Sequence, residues 1–168
     1  QGARVSDQLL QAVESSFGDD ISTANEVIAG DAVIDRVDVE IERACIELLR
    51  LGANDEHSIR SVLTIVKVNN ELERIADCAV SVAQSATTQN KIISTAPPTF
   101  RVMANSVIGM VRDTNAALSE ANTEMAIRVL AFDDTVSRFR KEIVLDAQQR
   151  TSNGTLVPLV SFEILSVA

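Results

Sequence analysis

An all-α fold is predicted by three features of this 168-residue chain. Apolar residues recur with a 3.6-residue period through most of it. Only 6 Gly and 3 Pro interrupt it, and two of the prolines are adjacent. Aromatics are 3 %, with no Trp or Tyr, so the core must be built from Ala, Val, Ile and Leu. That favours helices over a β-sandwich. The length suits one well-filled core or two small repeats. A net charge of −9 argues against nucleic acid as a partner, because phosphate binding needs Lys and Arg. It is compatible with binding cations.

The first helix is expected over residues 3–17, with Val5, Leu9, Ala12 and Val13 on one side and Gly18-Asp19-Asp20 ending it. Ser22 or Thr23 can cap a second helix running to about Leu51, closed by Gly52. Its apolar side is read as Val33, Val37, Ile41, Ala44 and Leu48, flanked by an acidic stripe of Asp31, Asp35, Asp38 and Glu42. Asn54 or Asp55 opens a third helix to about Ala86. Glu73 and Asp77 project there with Ile59, Leu63, Val66 and Asn70, while Ile65, Val68, Leu72, Ile75, Ala79 and Val82 lie opposite. Apolar on two sides, this third helix is expected at the centre of the bundle.

Residues 87–98 read as a polar linker closed by Pro97-Pro98. Thr99 can cap a fourth helix with Val102, Val107, Met110, Val111, Ala117 and Leu118 inside. Asn122 or Thr123 begins a fifth, to about Arg150, with Met125, Val129, Phe132, Val136, Phe139 and Ile143 inside. Residues 151–154 form a turn, and 156–168 begin a sixth apolar segment. The halves repeat: Val27-Ile-Ala-Gly-Asp31 matches Val129-Leu-Ala-Phe-Asp133, and Arg36, Glu40 and Ile41 match Arg138, Glu142 and Ile143. The expected division is therefore residues 1–88, a linker at 89–98, and residues 99–168 as a second repeat stopping short of its own acidic motif. Such a repeat leaves apolar surface at 156–167, which self-association would cover. From its first residues, Gln-Gly without Met, the chain is expected to be an excised piece of a longer protein.

Two i, i+4 carboxylate pairs stand out, Asp31/Asp35 and Glu73/Asp77. That spacing sets Cβ atoms about 5–6 Å apart on one helix face, which suits hard or borderline cations. Two plainer readings stay open: a solvated acidic stripe for the first pair, and pairing with an Arg from a neighbouring helix for the second. Asn69 and Asn70 sit mid-helix, either making hydrogen bonds at the surface or between helices or supporting the carboxylates. His57 is expected to face solvent, and Cys45 and Cys78 to be reduced and packed as small hydrophobes. The sequence shows no nucleophile with a base, no glycine-rich phosphate loop, no Cys/His metal spacing and no signal peptide. It is not expected to be an enzyme, nor to insert in a membrane.

The stretch Asn69-Asn-Glu-Leu-Glu-Arg-Ile-Ala-Asp77-Cys-Ala, preceded by Ser58-Ile-Arg-Ser-Val-Leu-Thr-Ile-Val-Lys-Val68, resembles the signature helix of PhoU proteins. Those typically read close to D-L-R-x-I-x-x-x-L-K-I-x-N-D-L-E-R-I-G-D-H-A. Ala76 and Cys78 stand where Gly and His are more usual. The resemblance implies an all-α fold of two antiparallel three-helix-bundle repeats and a cytoplasmic regulator of phosphate uptake. Its implied partners are a phosphate transporter and a sensor histidine kinase. It also implies (E/D)-x-x-x-D motifs able to hold multinuclear iron or zinc clusters, here Asp31, Asp35, Glu73 and Asp77. In the second half Asp133-Asp134 is followed by Ser137 and Arg138, so that motif is broken. A rival reading is the cytoplasmic domain of a sodium–phosphate cotransporter. A di-iron oxidase or iron-storage bundle is disfavoured because Glu-x-x-His is absent.

Overall fold

A computed structural model describes residues 1–52, 54–87 and 96–156. Of these, 89 % are helical, in five helices, and no strand is found among them. They are α1 (Gly2–Gly18), α2 (Ile21–Arg50), α3 (Glu56–Thr87), α4 (Pro98–Ser119) and α5 (Thr123–Ser152). Connections of two and three residues join α1 to α2 and α4 to α5, and α2 and α3 also follow one another closely, so these neighbours run antiparallel. The expected boundary at 89–98 and the sixth segment from 157 onward lie largely or wholly outside the described residues.

The helix ends follow side-chain chemistry. Asp20, rather than Ser22 or Thr23, caps α2 by accepting from the Thr23 amide at 3.1 Å. Asp19 just before it takes a left-handed conformation, φ 53°, and Gly52 beyond the end of α2 has φ 100°. Asp55 accepts from the Ser58 amide at 3.0 Å at the start of α3. Pro97, not Thr99, precedes α4, with Pro98 at its first position, where a missing N–H costs nothing. Asn122 accepts from the Met125 amide at 3.0 Å and caps α5 as expected.

The centre of the bundle is α1, not α3. It packs on α2, α3 and α4, whereas α3 packs chiefly on α1 and α2. Buried positions run around α1: Val5, Leu9, Ala12 and Val13, and also Ser6, Gln8, Ser15 and Ser16. The polar members hid this burial from an apolar-pattern reading. Their serine hydroxyls find carbonyl partners: Ser6 donates to Gly2 at 3.0 Å and Ser15 to Ala12 at 2.9 Å within α1, and Ser16 reaches across to the Val82 carbonyl of α3 at 2.9 Å. By contrast Ile59, Leu63 and Ile65 of α3 are exposed.

The main core joins Leu9, Ala12 and Val13 to Ala24 and Val27 of α2, Ala79 and Ala83 of α3, and Ile108 and Val111 of α4. Small residues on α3 let the helices approach closely. A second core joins Phe100, Met103, Ile143, Ala147 and Leu156, with Phe17 edge-on to Phe100 at 6.0 Å. The buried stripe of α2 is Ala24, Val27, Ile34 and Cys45. The expected one is displaced around the helix: Val33 and Leu48 are 43 % and 47 % exposed. On α4 and α5, Val111, Ala117 and Ile143 are buried as expected, while Val102, Leu118 and Phe132 are exposed.

Candidate functional site: an acidic groove between α2 and α3

The corrected stripe on α2 fixes the site. With Val27 and Ile34 facing inward, Asp31 and Asp38, each one helical turn from Ile34, are carried to the rim of the core and are half-buried. Asp35 lies beside them in solvent. On α3 the inward residues are Asn69, Ala76 and Ala79, so Glu73 is half-buried at the same rim and Asp77 is exposed. The pairs Asp31/Asp35 and Glu73/Asp77 therefore face one another across the α2–α3 groove. Glu73/Asp77 was expected on a buried packing face, and Asp31/Asp35 in an acidic stripe beside the apolar side of α2. Both pairs stand at the edge of the packing face, because α3 is covered on one side only.

Their mutual repulsion shows in their acidities. Burial pushes the Asp31 carboxyl up, with Asp35 and Asp77 adding to the rise and a hydrogen bond from Gln8 opposing it. Burial likewise raises Glu73, followed by the charges of Asp77, Asp38, Asp35 and Asp31. Five carboxylates thus share one field. No basic side chain enters the balance for either group. Arg74, the nearest candidate on α3, turns to Glu71 at 2.9 Å in an exposed pair. No ion pair among the described residues reaches Asp31, Asp35, Glu73 or Asp77. The Arg-paired reading of Glu73/Asp77 thus finds no support.

Two carboxamides support this groove. Gln8 Nε2 of α1 donates to the Val27 carbonyl at 3.2 Å and faces Asp31 Oδ1 at 3.5 Å. Asn69 Nδ2 of α3 donates to Asp38 Oδ1 at 2.6 Å and to its carbonyl at 3.3 Å. Both residues are buried, and Gln8 Oε1 and Asn69 Oδ1 find no donor. The interhelical bond from Asn69 was foreseen as one alternative, and Asn70 is exposed. Gln8 was not singled out, and Asp38 was read only as a member of the acidic stripe on the second helix. Their partners are 19 to 31 residues away in sequence, beyond any local spacing rule.

The donor set, all carboxylate oxygen plus neutral amide oxygen, fits a hard or borderline multivalent cation in kind. In this arrangement, however, no three His, Cys, Asp or Glu side chains among the described residues lie close enough to hold a metal ion. His57 is exposed, as expected, and so is Cys78, against expectation; only Cys45 is buried. Asp133 and Asp134 of the second half are exposed, with Arg138 turned to Thr135.

These features define a class, an all-helical bundle with a carboxylate-lined groove between its second and third helices. Comparison with known proteins makes it specific. The PhoU domain family matches residues 1–86, which contain the groove, and the chain belongs to that family. It is 29 % identical over 144 residues to the phosphate-specific transport system accessory protein PhoU homolog of Aquifex aeolicus. That match covers 83 % of this chain and 63 % of the relative. PhoU homolog 1 of Thermotoga maritima is 27 % identical, covering 90 % and 66 %. The chain thus spans less than two thirds of these relatives. They are named as accessory proteins, not as enzymes. The PhoU crystal structure from Pseudomonas aeruginosa shares the fold at a TM-score of 0.90, with 24 % identity over 99 % of this chain and 80 % of that one. The phosphate transport system regulatory protein PhoU from Streptococcus pneumoniae does so at 0.88, with 20 % identity, covering 99 % and 78 %. No described helix is long and apolar enough to cross a membrane.

Proposed function

We propose that this chain is a non-enzymatic accessory regulator of phosphate uptake and phosphate-responsive signalling. It acts by protein–protein contact with a phosphate transporter and its sensor histidine kinase, on the cytoplasmic side. The observation that carries this is the family match over residues 1–86, the three helices that build the acidic groove. Two repeats, 1–88 and 99–168 joined by 89–98, are the organisation consistent with it. Exposed apolar side chains on α5, Ile127, Leu130 and Leu145, favour self-association into a homo-oligomer. The test is direct binding of the purified chain to the cytoplasmic subunits of its cell's phosphate transporter. Saturable binding is expected; none with transporter or kinase would overturn the reading.

The groove is the candidate metal site of this regulator. Asp31 and Asp35 on α2 and Glu73 and Asp77 on α3 would hold the cation, iron or zinc by the family's pattern. The cation would supply the positive charge that the groove lacks and join α2 to α3. The support is electrostatic: Asp31 and Glu73 both titrate high because of burial and surrounding acids, with no Arg or Lys to relieve them.

A further inference from the structure

We propose that the outer groove between α2 and α3 seats an amphipathic helix of a partner protein, apolar at both ends and carrying Lys or Arg between them. The inference rests on the accessory-regulator reading above and names the surface and the chemistry of its protein contact. It uses the groove acids as fixed charge and needs no bound ion. The bond from Asn69 to Asp38 sets the register of this antiparallel helix pair. Cys45 and Val62, seven residues nearer the hairpin end on each helix, are buried. One turn outward from these inward positions, each helix presents a row at seven-residue intervals. On α2 it is Ile28, Asp35, Glu42 and Leu49, and on α3 it is Val80, Glu73, Val66 and Ile59. Antiparallel pairing sets the two rows level, in the order apolar, acidic, mixed, apolar. The span is about 30 Å, three heptads at a rise of about 1.5 Å per residue. No Lys or Arg occupies either row.

The apolar surface widens at the hairpin end. Leu49 and Ile59 are 42 % and 39 % exposed, and Ile46 and Leu63, one turn from each, are 57 % and 55 % exposed. Large aliphatic side chains grouped in water mark a surface that gains by being covered. A groove between two helices suits a third, which buries an apolar face of its own there. Charge then selects which helix. Burial and the charges of Asp77, Asp38, Asp35 and Asp31 already disfavour the Glu73 carboxylate. An acidic or wholly apolar centre on the partner would worsen this, and Lys or Arg would relieve it. Exposed ion pairs contribute little affinity by themselves. The apolar ends therefore supply the hold, and the acids set orientation and the speed of encounter.

The test is binding of the purified chain, with and without chelator, to the cytoplasmic subunits of its cell's phosphate transporter and to the sensor kinase. Wild type is compared with Leu49→Ser/Ile59→Ser, with Glu42→Lys and, on α5, with Leu145→Ser. All four substituted residues are exposed, and melting curves check that each variant folds. The double change should weaken binding about tenfold or more, as loss of interface anchors does. Glu42→Lys, outside the four motif acids, should weaken it about fivefold and flatten its dependence on salt. Leu145→Ser should stay within about twofold of wild type. If wild type binds while the double variant or Glu42→Lys stays within about twofold of it, the inference falls alone. It falls alone as well if Leu145→Ser loses as much as the double variant, or if chelator abolishes wild-type binding. If wild type binds neither partner under either condition, the accessory-regulator reading falls with it.

Discussion

Glu73 and Asp31 carry a testable consequence of their surroundings. Both have carboxyl pKa values raised in the folded chain by burial and by neighbouring acids. Between the ordinary and the raised value the native state binds more protons than the unfolded state, so stability there increases as pH falls. Metal-free protein should therefore gain stability on acidification from neutrality into the weakly acidic range. The gain should end near the ordinary carboxylate values, where Asp20 and Asp55 begin to protonate. Hydrogen bonds to Thr23 and Ser58 lower those two, and their contribution is lost at acid pH. Glu73→Gln should raise metal-free stability at pH 7 and flatten the first rise. Urea melts at stepped pH read this directly, and a wild-type profile falling monotonically from pH 7 would contradict it. The four motif acids were legible because i, i+4 spacing is local. Gln8 was not, and for Asn69 the interhelical bond was only one of the open alternatives, because a polar side chain's burial depends on which distant helix covers it.

Helix existence and ends were also legible, since periodicity and caps are local signals. The five described helices fall where expected, within a few residues. Which face of each helix is buried was read less well. On α2 the apolar residues extend around much of the circumference, and α1 and α3 decide the buried side by covering Ile34 and leaving Leu48 out. That choice brings Asp31 and Asp38 to the groove. Ile34→Ala should cost about 2–5 kcal/mol, the range for removing a buried Ile. Leu48→Ala, at an exposed site, should stay within about 0.5 kcal/mol. Equal losses in chemical denaturation would place the buried face of α2 elsewhere. Neither substitution removes an acid, so neither should alter cation affinity by more than its effect on folding.

At the scale of the whole molecule the charge is uneven. Acidic residues exceed basic ones by nine between residues 1 and 86, which accounts for the entire net charge of −9. The remainder of the chain is balanced. The long-range field thus centres on the half that matches the PhoU domain, and draws cations and basic partner surfaces to it. Binding to a transporter through that half should slow as ionic strength rises, and a salt-independent on-rate would point to another face. The claim on which the account turns is that the groove between α2 and α3 is completed by a cation. Thermal melting of untreated, chelated and Zn2+- or iron-supplemented protein, repeated on Glu73→Ala/Asp77→Ala, tests it most directly. The account predicts that chelation lowers the wild-type melting temperature by roughly 5–10 °C relative to metal at about a hundredfold its Kd, and that the double variant does not respond. Wild-type melts that superimpose with and without metal would contradict it and leave the four acids as a solvated cluster.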